Sequence, residues 1–557
     1  MGRRGNPSRR EFTFRSVEGM AYRRATCVHC GTDTADNSAR LNSHLESCER
    51  FQSRGNTGSL PGETSRRRST LDAFCDSITP QHSTVVDESL GRLIYGLGLP
   101  FSLVESPFFE AFVRALRPAY HLPCRNKVSG DWLDKHYDRI REQVNTEIEK
   151  ASSLTLVLDG WTNRRNEAVI GFSVATPKPV FLKALFPGAA RYTAGFFFEE
   201  TSAVIRELGA ARVSAVVTDN AAAMKAMWRR IELSFPGMIC FGCAAHSLNL
   251  LLLDIFKMET PKRLLKMCKS LCATFAYSPQ SDAVLKSTRE AHGIGSGLVE
   301  PVKTRWSSYV ACLRSVLTNK LPLQQTIVTP GVAAHMDTNI REQLLTEATF
   351  DQIAEFISLL TPIAGLIAIA EEDNSCIATM IGSYFSFTER LRNSNLSCAN
   401  DIERLLEARW PTLYHPVLAL ANLLNPSDQG RSFQGRLPNA ETDIESVVEK
   451  LVPQLETRNI VLAQMMQYRA RTGLFESRAM LSVADSSSVD PVTWWKSAGN
   501  GRELAQLAVR VLEMPLSSAS IERVWSTFGF IQNSVRNRLG NEKAEKHTFI
   551  YKNLRFL

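Results

Sequence analysis

The chain has 557 residues, of which 44% are hydrophobic and 22% charged. It is too long for one compact core, since cores stop growing at about 250–300 residues, and too apolar for disorder throughout; two to four domains are expected. The formal charge of +8 is concentrated at one end, because residues 1–68 hold 13 arginines, no lysine and 7 acids, and this asymmetry points to an anionic partner, most simply nucleic acid. The opening MGRRGNPSRREF lacks an apolar signal core, and LNLLLLDIF is too short and too interrupted to span a bilayer, so a soluble intracellular protein is expected.

Residues 1–22 are basic and polar, with Phe12, Phe14, Met20 and Tyr22 as hydrophobic anchors. Next come Cys27, Cys30, His44 and Cys48 in the spacing C-x2-C-x13-H-x3-C. A two-residue gap lets both thiolates of a knuckle reach one ion, and H-x3-C sets two ligands on successive helical turns, which suits tetrahedral zinc. A segment of some 40 residues buries too little surface to fold alone, so the metal is expected to supply most of its folding energy. The alternative is a set of reduced cysteines with no ion. The cluster, with aromatic residues ahead of its first cysteine, resembles a BED-type zinc finger, which implies DNA binding; a protein-interaction knob is the competing use.

Residues 51–70, rich in Ser, Gly, Thr and Arg, read as a flexible basic linker. From 71 to 150 the apolar spacing is helical, with Ser106-Pro107 as a helix start and DWLDKHYDRIREQVNTEIEKA as a longer amphipathic helix. At residue 153 the period changes, and SLTLVLD, AVIGFSVAT, VFLKALF and SAVVTD read as strands. Helices are expected at about 195–208 and 221–234, and again, without a convincing strand, from about 260 to 480. AMLSVADSSSVD reads as an exposed loop, and the chain closes with two helices broken at Met514-Pro515.

The strand LVLD ends on Asp159, and VVTDN ends on Asp219. A lone acid after a strand is also a good N-cap. Two strands each delivering an acid to one sheet edge focus negative charge, which a hard cation such as Mg2+ or Mn2+ neutralises. Glu522, in LSSASIERVWSTF, sits beside an apolar stripe of Ile521, Val524, Trp525 and Phe528, with Ser517 or Ser518 able to cap the helix; by spacing alone it is an acid favouring a helix dipole. Cys240, Cys243 and His246 lack a clear fourth ligand and read as buried thiols beside a packed histidine. Trp306 reads as a core aromatic, Trp161 as packing that fixes the Asp159 backbone, and Cys268 and Cys272 as core.

LVLDGWT, VVTDN, CAAHSLNLLL, KTRWSSY and SSASIERVWS with NRLGNEKAEKHTFIYKNLR resemble, in order, the blocks of hAT-superfamily DNA transposases. The resemblance touches nearly the whole chain and is most specific at the C-terminal block, which is similar to the hAT dimerisation region. It implies an α+β fold: an RNase H-like mixed-sheet core interrupted by a large helical insertion and preceded by a zinc finger and a helical region. The corresponding boundaries are 1–50 for the finger and its basic arm, 51–70 linker, 71–150 helical DNA-binding or dimerisation region, 151–260 first part of the core, 261–480 insertion, and 481–557 end of the core with the dimerisation region.

The resemblance further implies a catalytic triad of Asp159, Asp219 and Glu522 holding Mg2+ or Mn2+ for phosphodiester cleavage and strand transfer. Cys243 and His246 would support the core and contact DNA, Trp306 would stack on a displaced base, and Arg305 would contact phosphate. Structural zinc, double-stranded DNA, a homodimer and a nuclear location complete these expectations. Two rivals remain: a domesticated DNA-binding protein without catalysis, and an RNase H-like nuclease acting on RNA.

Overall fold

The structure, a computed structural model, describes residues 11–15, 23–48, 76–175, 178–188, 192–301, 306–334, 336–372, 377–486, 489–498, 502–533 and 539–555. The chain separates into two compact units, residues 1–77 with 117–119, and residues 78–116 with 120–557. The expected linker, residues 51–70, lies outside the described residues.

In the first unit, strands β1 (Phe12–Arg15), β2 (Arg24–Cys27) and β3 (Asp33–Ala35) form an antiparallel sheet in chain order, with Phe12 opposite Cys27. Helix α1 (Ser38–Ser47) starts where the Asn37 side chain accepts the Ala39 N–H at 2.9 Å, an N-cap that satisfies an amide the helix itself cannot. Among the described residues, Phe12, Ala25, Leu41, Leu45, Cys27 and Cys48 form the buried core of this unit.

The second unit opens with α2 (Pro80–Gly96), a single 3-10 turn at Phe101–Glu105, α3 (Pro107–Leu116), α4 (Arg125–Ser129) and α5 (Asp131–Lys150). The start at Pro107 is as the sequence suggests. Only part of α3 packs on the core, through Phe109 and Val113, while Phe108 is 88% exposed and Phe112 57%.

Five strands follow: β4 (Leu154–Thr162), β5 (Ala168–Ala175), β6 (Pro179–Leu185), β7 (Val213–Thr218) and β8 (Ile239–Gly242), in the spatial order β6-β5-β4-β7-β8. β5 runs antiparallel to its neighbours β4 and β6, and β7 and β8 run parallel to β4. The parallel strands are entered through α6 (Ala194–Leu208) and α7 (Ala222–Ser234), as parallel pairing demands a crossover. β8 was missed by periodicity; its four residues, ICFG, form too short a run to separate from the helix α8 (Ala244–Ile255) that follows it.

The first strand is also longer than its apolar run. Asp159 does not end β4: pairing with β5 continues through Thr162, with Asp159 opposite Gly171. Pairing with β7 stops at Val157 opposite Val217. Asp159 therefore stands two residues beyond the point where β4 loses one neighbour, and burial changes there from continuous to alternating.

Between about 260 and 480 the described residues hold helices and no strand. α9 (Glu347–Glu371) is long and apolar enough to cross a membrane, with a mean hydropathy of 2.0 over its best window, half of it buried. Its Phe350, Ile353, Phe356, Ile357, Leu360, Ile363 and Ile367 face the shared core, at the helical spacing of a core-facing stripe. The expected loop at AMLSVADSSSVD instead carries a helix, Arg478–Asp485. The break at Met514-Pro515 separates α10 (Glu503–Leu512) from α11 (Ala519–Ile531), and α12 (Asn541–Asn553) packs on β6, α5 and α2.

Candidate functional site

The finger brings its four predicted ligands together: the ligand atoms of Cys27, Cys30, His44 and Cys48 lie within 4.8 Å of one another. The knuckle turns through Gly31 at φ +76°, a conformation that favours glycine, and is closed by Gly31 N–H to Cys27 O and Cys27 N–H to Thr32 O, each 2.9 Å. His44 rides on α1, while Cys48 is the residue that caps its end rather than a further helical turn. Thr32 holds the Cys30 thiol down to about 6 through side-chain and backbone hydrogen bonds, which favours the thiolate a metal needs. Phe12 packs edge-on against the His44 ring at 5.7 Å. Three thiols and an imidazole in this compact set form a Cys3His zinc-binding arrangement.

In the second unit, Asp159 and Glu522 line one cavity of about 1400 Å3, together with Trp161, Arg164, His246 and Trp525. Asp219 follows β7 immediately and is not among the residues walling that cavity. One of its oxygens accepts the Ala221 N–H at 2.9 Å, so it shapes the turn into α7, whose own N-cap, Ala221, offers no side chain for capping. Among the described residues, these acids do not close into a metal-holding group as the finger's ligands do.

They are nonetheless close enough to act on one another. Burial pushes the Asp159 carboxyl up to about 7, and the charges of Glu522 and Asp219 push it the same way; the Trp525 indole and Gly160 N–H groups pull it back. Trp525 donates its Nε1–H to Asp159 Oδ2 at 3.1 Å. The same indole stacks on Trp161, with ring centres 5.5 Å apart and planes 13° from parallel, so Trp161 packs against the helix bearing Glu522. A Cβ at Gly171, opposite Asp159, would sit 2.5 Å from Trp525 and 2.6 Å from Ile521. Glycine there lets α11 lie directly on the sheet. A glycine inside a strand is a readable sign of close approach, and Trp525, three residues after Glu522, could have been paired with it.

Cys243 is a joint rather than a ligand. Its backbone N–H donates to Thr218 O at 2.7 Å, next to Asp219. Its sulfur accepts the His246 and Ser518 N–H groups, each at 3.3 Å, and the Ala244 N–H donates to Leu516 O at 2.9 Å. One buried residue thus ties the end of β7, the start of α8 and the segment leading to Glu522, and burial pushes its thiol up to about 11. Ser518 holds the N-cap position of α11 without a side-chain bond, whereas Ser517 accepts the Ala519 N–H at 3.3 Å and donates to Ala370 O. His246 reaches the cavity wall. Trp306 opens the helix Trp306–Thr318, and Arg305 lies outside the described residues. Cys268 and Cys272 are buried in the core as expected.

Known proteins match the two parts of the second unit that frame this cavity. A profile of the hAT family C-terminal dimerisation region matches residues 473–554, and a domain of unknown function, DUF659, matches residues 123–271. The human protein "Zinc finger BED domain-containing protein 4" is 21% identical over 520 residues, covering 82% of this chain and 42% of that protein. The chain thus spans less than half the length of the curated relative it matches. The C-terminal match, the relative and the Cys3His cluster together support an hAT-type protein with a BED-type zinc finger.

Proposed function

We propose that the chain is a divalent-metal-dependent transposase that cleaves and joins the DNA ends of a mobile element, with Asp159, Asp219 and Glu522 as its carboxylates. The observation that carries this reading is the gathering of three acids from β4, the end of β7 and α11, close enough that Asp159 feels the charges of both others. Hard oxygen donors, two of whose charges raise the proton affinity of the third, Asp159, fit Mg2+ or Mn2+. When bound, such ions would activate a water or a DNA 3′-hydroxyl as nucleophile and stabilise the leaving oxygen. The chain's own part is positioning: Trp525 orients Asp159, Gly171 admits α11, and Cys243 ties Asp219 to the segment before Glu522. Arg164, on the cavity wall, offers positive charge to a phosphate.

Within this reading the mixed sheet is an RNase H-like core, interrupted at 261–480 by the helical insertion and completed by 481–557. Residues 71–150 serve DNA binding or dimerisation, the finger binds duplex DNA, residues 473–554 pair two copies, and the protein works in the nucleus. Trp306 stacks on a displaced base and Arg305 contacts phosphate. Purified chain with Mn2+ or Mg2+ is expected to nick or join duplexes carrying the terminal repeats that flank its gene. No activity in wild type, or full activity in Asp159→Ala, overturns the catalytic reading.

One observation favours a second reading, a DNA-binding protein of hAT origin without catalysis: Asp219 lies off the cavity wall and is engaged in the turn before α7. Specific DNA binding without cleavage under either metal selects that reading.

A further inference from the structure

A second cavity, of about 1050 Å3, lies between α4, the chain around Phe101 and the N-terminal end of α12. Asn533 lines both this cavity and the one holding Asp159 and Glu522, so the two are neighbours. Among the described residues two Lys or Arg side chains line it, Arg125 at the start of α4 and Lys543 in the first turn of α12. Neither forms an ion pair with a described residue; Lys543 reaches only the Ser129 hydroxyl, at 3.5 Å. The one acid on the wall, Glu542, is paired with Lys546 at 2.8 Å, and Glu105 nearby accepts the Arg125 backbone N–H at 3.2 Å.

The donors converge on an anion. α12 is 13 residues long and its N-cap is Gly540, which has no side chain to cover the first-turn amides; such a helix end favours negative charge. Asn126, Ser102 and Ser129 add neutral hydrogen-bonding groups. Aromatic faces for stacking bases are not on offer, since Phe101 is buried and stacked on His547 at 5.3 Å. Cations and amides without a stacking platform suit a phosphodiester backbone rather than unstacked bases.

We propose that this cavity is a phosphate-backbone subsite for duplex DNA flanking the cleavage point, with Arg125 and Lys543 as its cations; the assignment rests on the DNA-cleaving reading above. The subsite holds the duplex in register while the neighbouring cavity takes the scissile phosphate. It is indifferent to base sequence.

The test is binding, which needs no chemistry. Full-length, zinc-loaded chain is titrated onto a 30-base-pair duplex of random sequence by fluorescence anisotropy, from 50 to 200 mM salt and without Mg2+ or Mn2+. Each phosphate contact contributes about 0.9 to the slope of log affinity against log salt. The double variant Arg125→Ala/Lys543→Ala is expected to bind roughly ten-fold weaker at low salt, with a slope shallower by about 2. Arg125→Lys/Lys543→Arg, which keeps both charges and the fold, is expected to keep the slope. Wild-type affinity and slope in the alanine variant, or loss of slope in the charge-preserving one, overturns the subsite. A duplex RNA bound more tightly than the DNA overturns the choice of ligand. If wild type does not bind DNA at all, the subsite and the DNA-cleaving reading both fall; if it binds through these two cations yet cleaves nothing, only the catalytic reading falls.

Discussion

In the finger, three thiols and an imidazole lie within 4.8 Å of one another, whereas in the sheet unit Asp159 and Glu522 share a cavity wall that Asp219 does not join. The difference follows from ligand chemistry and from the reach of the chain. Thiols and imidazole hydrogen-bond to one another, as Cys30 Sγ and His44 Nε2 do at 3.2 Å, and all four ligands sit on one hairpin and one helix. The carboxylates repel each other and arrive on three elements separated by up to 363 residues, the span from Asp159 to Glu522. Soft ligands on a local scaffold can be gathered by the fold; like charges on distant elements are brought near and held apart.

The largest expected effect is on the finger. Stripping zinc with a chelator, or Cys27→Ser, should unfold residues 11–48 and leave the sheet unit folded, because structural zinc contributes about 10–16 kcal/mol in such fingers and the finger's core among the described residues is six residues. Limited proteolysis followed by mass spectrometry checks this. A finger that stays resistant without zinc breaks the contrast.

Next is Asp159→Asn. It should lower DNA cleavage roughly a thousand-fold, the several kcal/mol that metal-assisted charge stabilisation supplies. Mg2+ or Mn2+ should raise the Tm of wild type and leave the variant unmoved. An equal shift in both breaks the assignment of a cation to the acids.

The third concerns pH and separates folding from chemistry. Burial, reinforced by Arg139, holds the His136 imidazole down to about 4, where it is packed against Gly91 and Tyr95. Its ordinary value is about 6.5. Between those values the unfolded chain takes up a proton that the native one refuses, so stability is lost as pH falls from about 6.5 to 4, by on the order of 2 to 3 kcal/mol. Urea midpoints measured across that window should fall for wild type and fall less for His136→Gln; parallel curves refute the role of His136.

The smallest effect expected is that of Gly171→Ala. Its Cβ meets Trp525 at 2.5 Å, so α11 must shift, at a cost of about 1–3 kcal/mol. Cleavage should drop with DNA affinity unchanged. Unaltered cleavage kinetics show that the seating of α11 on the sheet does not position Glu522.

Much of this was legible in the sequence, residue by residue. Spacing alone named Cys27, Cys30, His44 and Cys48, because a zinc knuckle is a local constraint on chain geometry. The strand runs ending near Asp159 and Asp219 showed in their β-rich composition, and Ser106-Pro107 marked a real helix start. Other features were out of reach. β8 is four residues long, the AMLSVAD part of the expected loop belongs to the helix Arg478–Asp485, and β4 runs on past Asp159 because β5 still pairs with it. α9 is longer than LNLLLLDIF and apolar enough to cross a membrane, but its buried stripe is that of a core helix.

The sequence by itself determined the finger's ligand set, the basic N-terminal end and the strand-end acids Asp159 and Asp219, since these depend on residue type and near-neighbour spacing; Glu522 was named only by the family resemblance. The tertiary structure alone decided that Trp525 holds Asp159, that Gly171 makes room for the helix bearing Glu522, and that Cys243 links the segments before Asp219 and Glu522. Those are contacts between elements hundreds of residues apart, such as the 366 between Asp159 and Trp525, and they are fixed by packing and sheet register rather than by any local pattern.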